Sequence, residues 1–309
     1  MRFTTIGPAA IAAALALVVA GTSPAAALDV FACEPEWGAL AQELGGSDVS
    51  VYTATTARQD PHQVQARPAL IARMRRADLV VCTGAELEVG WLPILLRQAS
   101  NAKVQAGAPG YFEATQQVPL MDKPQRLDRA QGDIHAAGNP HIQNDPRLVR
   151  AVAAALARRM QEVDPAHAAG YAQRARAFDD RMAQAIPRWQ TTAASLRGTR
   201  AVTYHKGWVY LFTWLGISEV GTIEAKPGVP PSSAWLAQLL DDIPKRNAQS
   251  VIYAAYQDPK AANFVAQKAG IPAVMLPFTV GGTDEAKDLF SFYDDTIRRL
   301  LAGLKGVAR

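Results

Sequence analysis

Short apolar runs alternate with longer amphipathic segments from residue 28 onward. In the first half this pattern predicts strands at 28–32, 48–52, 78–82 and 103–106, and helices at 35–45, 68–76 and 88–99. Strands spaced by helices argue for parallel sheets covered by helices. Residues 107–145 break the pattern with repeated Gly and Pro, and a loop this long usually carries function. Pro146 then suits the first turn of a helix that runs to Val163. Asp164-Pro165 restarts a second helix towards Leu196, with a kink or boundary expected at Pro187. A helix of ~30 residues is about 45 Å long, enough to bridge two domains. The second half repeats the alternation: strands at 200–204, 217–221, 249–254 and 272–276, helices at 206–215, 232–242, 259–269 and 286–303. The expected organisation is an N-terminal α/β lobe over 28–163, a linking helix over 164–197 and a C-terminal α/β lobe over 198–309.

The first 27 residues follow a different pattern. Arg2 precedes an unbroken Ala/Leu/Val/Ile run over 9–20, and Ala25-Ala26-Ala27 fits a small-residue cleavage site before Leu28. That is a secretory signal peptide, and the apolar core falls short of the ~20 residues needed to span a bilayer. The chain is therefore expected to be exported.

Composition narrows the function. With 49% hydrophobic and 19% charged residues, the 309-residue chain is too apolar to be disordered. A net charge of +4, which becomes +3 once Arg2 is removed, is no footprint of a nucleic-acid binder. Two cysteines cannot form an all-cysteine zinc site. Cys33 and Cys82 each end a β-like run, so if those strands are neighbours an exported chain can pair them.

Five histidines remain. His62 in Asp60-Pro61-His62, His141 in Asn139-Pro140-His141 and His205 after the strand ending at Tyr204 all lie at strand ends or helix starts. Ligands of open α/β sheets bind at such ends, and imidazole suits zinc well. Proline beside two of them fixes the local φ. His167 reads as a solvated residue of a helix start. His135 reads as an exposed loop residue, the other reading being one that guides a metal inward.

These stretches, with Arg67-Pro68, Ala77-Asp78-Leu79-Val80-Val81-Cys82-Thr83-Gly84-Ala85-Glu86-Leu87-Glu88, Trp91, Asn144-Asp145-Pro146 and Tyr204-His205-Lys206-Gly207-Trp208-Val209-Tyr210-Leu211, resemble the periplasmic zinc- and manganese-binding components of ABC importers, the ZnuA/TroA-like cluster. Two departures are Gln143 where the family has Trp and Gly207 where it has Ala. The resemblance implies two α/β lobes joined by a rigid long helix, with the metal in the cleft between them. It implies His62, His141 and His205 as ligands, and a His at the third position points to Zn²⁺ over Mn²⁺. The family's fourth ligand, an Asp after the last strand, falls here on Thr279 or Val280. Asp284, four or five residues later, is the expected acid, reached through Gly281-Gly282; Glu224 or water are the alternatives, and Asp284 and Glu285 also fit a helix start. The family's His-rich acidic loop is missing.

The implied function is a monomeric solute-binding protein, not an enzyme, that captures Zn²⁺ and delivers it to an ABC permease, with a periplasmic metallochaperone as a further partner. Zinc is expected to be lost below about pH 6 as histidines protonate. Two other classes share features. Three histidines and a water also make a catalytic zinc, with Glu34, Glu36 or Glu224 as candidate bases, though no motif places them. A receptor for a metal chelate shares the architecture without needing three histidines.

Overall fold

The computed structural model describes Met1 and residues 26–124, 132–133 and 135–305. The proposed signal segment, 1–27, falls almost wholly outside the described residues. No described helix is long and apolar enough to cross a membrane.

Two four-stranded sheets form the frame. The first contains β1 (Leu28–Ala32), β2 (Val49–Thr53), β3 (Leu79–Cys82) and β4 (Tyr111–Glu113), in the order β2-β1-β3-β4. The second contains β5 (Arg200–Thr203), β6 (Ser218–Thr222), β7 (Ser250–Ala254) and β8 (Ala273–Leu276), in the equivalent order β6-β5-β7-β8. Every pairing is parallel. Parallel strands bury both faces, and β3 accordingly has all four residues buried. The edge strand β6 is only half covered.

Helices α1 (Pro35–Gly45), α2 (Pro68–Arg76) and α3 (Leu92–Ala99) connect the first sheet. Helices α6 (Val209–Leu215), α7 (Ser233–Lys245), α8 (Pro259–Ala269) and α9 (Leu289–Lys305) serve the second. Starts follow local chemistry. Asp258 caps α8 by accepting from the Lys260 amide, with Pro259 at the first turn. Gly216 and Gly270 end α6 and α8 in the left-handed conformation.

Two expected elements move. The run at 103–106 is not a strand: Asn101 accepts from the Lys103 amide and turns Ala102–Val104 into a 3₁₀ helix. The fourth strand begins after Gly110, where a β-carbon would stand 2.4 Å from the Lys103 carbonyl and 2.5 Å from that of Asp78. Only glycine lets the chain enter so close beside β3. The helix expected from 88 begins at Leu92, because residues 84–86 all take positive φ and form a turn.

Between the sheets run α4 (Pro146–Val163) and α5 (Ala168–Thr192). The 25 residues of α5 span about 38 Å, shorter than expected, and the helix continues through Pro187. It packs on α1 and α4 on one side and on α9 on the other. Near its start Arg174 bonds the Leu44 carbonyl and Asp48, both at 2.7 Å. Near its end the Trp189 indole donates to Asp294 at 2.7 Å and packs on Tyr293 with ring centroids 5.0 Å apart.

Cys33 directly follows β1 and Cys82 ends its neighbour β3. They form a disulfide with Cα atoms 4.8 Å apart. His167 is not solvated: it is half-buried and bonds Asp164 at 2.7 Å, at the start of α5 and away from the cleft.

Candidate metal centre

His62, His141 and His205 meet in the cleft between the sheets. Their ring centroids form a nearly equilateral triangle with sides of 5.5, 5.6 and 5.5 Å. One ligating atom from each lies within 4.8 Å of the others.

Two of the three are presented by the same local device. In Asp60-Pro61-His62 the Asp60 carboxylate accepts from the His62 amide at 3.0 Å; in Asn139-Pro140-His141 the Asn139 side-chain oxygen accepts from the His141 amide at 3.0 Å. Each is an Asx turn, stiffened by the proline in its middle. The third, His205, sits just beyond the carboxyl end of β5.

The outward nitrogens define what the inward ones can do. Nδ1 of His62 faces Asp60 at 2.8 Å, and Nδ1 of His205 faces Glu224 at 2.8 Å. A carboxylate only accepts, so each Nδ1 carries the proton and each Nε2 presents a lone pair. Glu224 also accepts from the Gly228 amide at 3.0 Å, which fixes it behind His205 and not at the centre of the triangle. Burial pushes the Asp60 carboxyl up, but the bond and charge of His62 outweigh this and leave it below its ordinary value.

His141 differs. It is 1% exposed, and neither ring nitrogen has a hydrogen-bond partner among the described residues. A buried polar atom without a partner is costly, and a cation at the centre of the triangle would satisfy one of the two. Burial holds this ring well below the ordinary histidine range, with repulsion from His205, His62 and His135 adding to it. At neutral pH it is therefore an uncharged donor. Its segment is fixed by contacts across the molecule. Asn139 donates to the Lys206 carbonyl at 2.8 Å, Asn144 to that of Gly207 at 3.1 Å and Gln143 to that of Phe278 at 3.3 Å, while Tyr210 donates to the Asn139 carbonyl at 2.6 Å. Gly207 leaves room for this packing: a β-carbon there would stand 3.0 Å from the Phe278 ring and 3.4 Å from that of His141.

The acid expected to complete the set is not brought in. Asp284 is exposed and stands outside the group of candidate ligands. Its loop is held by the Gly281 amide donating to the Ala286 carbonyl at 2.6 Å and by the Thr283 hydroxyl donating to Asp295 at 2.7 Å. These bonds turn the segment towards α9. Thr279 donates its hydroxyl to the buried Glu36 at 2.6 Å and so faces away from a ligand role. Burial raises Glu36 to about 7.

A fourth imidazole stands beside the triangle instead. His135 is half-buried, not an exposed loop residue, with its Nε2 3.3 Å from that of His62. No periodicity or motif marked it. The histidines at 135, 141 and 205 line one pocket of about 410 Å³ together with Asp133 and Lys206.

Comparisons with known proteins identify the family and the fold. A family model described as ZnuA, zinc-uptake complex component A periplasmic, matches residues 30–303. The high-affinity zinc uptake system protein ZnuA of Yersinia pestis is 24% identical over 228 residues, covering 68% of this chain and 70% of that protein. Its namesake from Paracoccus denitrificans is 24% identical over 287 residues, covering 82% and 84%. A crystal structure of ZnuA superposes with a TM-score of 0.75 at 22% identity, covering 90% of this chain and 99% of the other, which establishes the shared two-lobe fold.

Proposed function

From the ZnuA family, to which this chain belongs, we propose that the protein is the solute-binding component of a zinc importer. It captures Zn²⁺ through His62, His141 and His205 and passes it to an ABC permease. The observation that carries this reading is the triangle of imidazoles. Three imidazoles converge, two with their outer nitrogens held by carboxylates and one buried with no hydrogen-bond partner among the described residues. Such a set favours zinc, whereas Mn²⁺ prefers more oxygen. We assign the chain to the periplasm, as a monomer, with residues 1–27 as its export signal and a periplasmic metallochaperone as a further partner. The expected lobes, 28–163 and 198–309, with the link over 164–197, belong to the same proposal.

The reading excludes turnover: zinc here is cargo. Competition titration against a chromophoric chelator tests it. The wild-type chain should bind one Zn²⁺ tightly, and the His62→Ala/His141→Ala/His205→Ala variant should lose at least about 100-fold in affinity, since even the residues that orient ligands are worth 10–100-fold. Unchanged affinity in the triple variant would refute the site.

A further inference from the structure

His135 lies in none of the matched motifs, yet its surroundings repeat those of the ligands. Its Nδ1 faces the Ala85 carbonyl oxygen at 3.0 Å. That oxygen can only accept, so in the neutral ring Nδ1 carries the proton and Nε2 presents its lone pair. His62 has the same tautomer, imposed by Asp60. Two lone pairs thus face each other across 3.3 Å. Without something positive between them they repel. Two nitrogens held at about 2.0–2.1 Å by one tetrahedral zinc stand roughly 3.3–3.4 Å apart, which matches this gap. The ring of His135 lies 6.3 Å from that of His141, farther than the three rings of the triangle lie from one another, so His135 stands outside the group whose ligating atoms all lie within 4.8 Å and must move inward to close on a shared ion.

The placement is built. Gly84, Ala85 and Glu86 all take positive φ, at 82°, 50° and 66°. Glu88 holds this turn by accepting from the Thr83 amide at 2.7 Å and the Gly84 amide at 3.1 Å. The turn aims the Ala85 carbonyl at His135. One residue on, the Ala136 amide donates to Glu86 at 3.2 Å. On the other side of the cleft the Asp133 amide donates to the Pro227 carbonyl at 3.0 Å. Gly132 makes that approach possible, since a β-carbon there would stand 2.2 Å from the same carbonyl.

We propose that His135 is the fourth zinc ligand, completing a four-imidazole site with His62, His141 and His205 where an acidic residue was expected. The inference rests on the zinc-binding function proposed above. Such a site carries no protein anion, so the bound ion keeps its full charge of +2, and a closed tetrahedron leaves no position for water or an added anion.

X-ray absorption at the zinc edge of the wild-type protein, with visible spectroscopy of its Co²⁺ form, tests the assignment. The expected result is four imidazoles around zinc and a cobalt spectrum that azide does not change. In His135→Ala three imidazoles and one oxygen should remain, azide should shift the cobalt bands, and zinc affinity should fall by about 100-fold or more. Three imidazoles in the wild type, azide-sensitive cobalt bands and an unchanged affinity in His135→Ala would overturn it. The wild-type measurement stands even if the variant folds poorly. A loss of binding in His141→Ala but not in His135→Ala removes the fourth ligand alone. No loss in either removes the zinc function itself.

Discussion

Burial, more than any partner, keeps His141 neutral, with the neighbouring imidazoles adding to the effect. His135 is held down to about 4, again by burial first and His62 second. This has a consequence for the metal-free protein. In the unfolded chain both rings titrate near pH 6.5. Between that value and their lower folded values the unfolded state binds protons that the native state refuses. The contribution of these two rings to stability should therefore be level above about pH 6.5 and fall as the pH drops towards 4, by up to about 1.4 kcal/mol per pH unit for each ring, against the opposite slope that Glu36, raised to about 7, gives over the same range. Urea melts of the metal-free protein at stepped pH measure this slope, and His135→Gln should flatten it. The residue scale is also where the sequence was least informative. His62, His141 and His205 were legible because Asx-Pro pairs and strand ends mark them. His135 was not, since its position depends on three left-handed residues of which only Gly84 is a glycine. The exposed position of Asp284 was not legible, because the bonds that turn its loop towards α9 leave no trace in local composition.

At the scale of elements most of the order was legible, and the exceptions have particular causes. Alternating apolar runs located seven of the eight strands, while β4 was displaced by the turn at Asn101 and the close approach at Gly110. The strand pairing was legible only conditionally: Cys33 and Cys82 can bond only if β1 and β3 are neighbours, and they are. The disulfide closes a loop with a sequence separation of 49. On chain entropy alone such a crosslink contributes at most about 4 kcal/mol. The Cys33→Ala/Cys82→Ala variant should lose roughly 2–4 kcal/mol in equilibrium denaturation. Because Thr83 and Gly84 directly follow Cys82 and cradle Glu88, zinc affinity should also fall in that variant. A loss below about 0.5 kcal/mol with unchanged zinc affinity would show that the bond constrains neither the fold nor the turn.

Across the whole molecule, the two sheets share one strand order and are spanned by a single helix, so the cleft is set by packing on both ends of α5. Arg174 fastens one end and Trp189 the other. Ligands from both halves then make zinc a crosslink between them. Loading should raise the melting temperature by an amount that grows with free Zn²⁺, reaching about 2.7 kcal/mol of added stability when the free metal is 100 times its dissociation constant. Differential scanning calorimetry in a zinc buffer series measures it. The rise should vanish in the His62→Ala/His141→Ala/His205→Ala variant, and its persistence there would place the ion elsewhere.

The repeated Asx-Pro-His turn has a use beyond this chain. The amide, the proline ring and the Asx oxygen aim the imidazole within three residues, so its direction is specified locally and owes little to the length of the flanking loops. Exchanging Asn for Asp at the first position adds a grip on Nδ1, as the contrast between His141 and His62 illustrates. The tripeptide is thus a transplantable ligand cassette with a built-in choice of tautomer, suited to grafting a metal donor onto a loop of an unrelated scaffold.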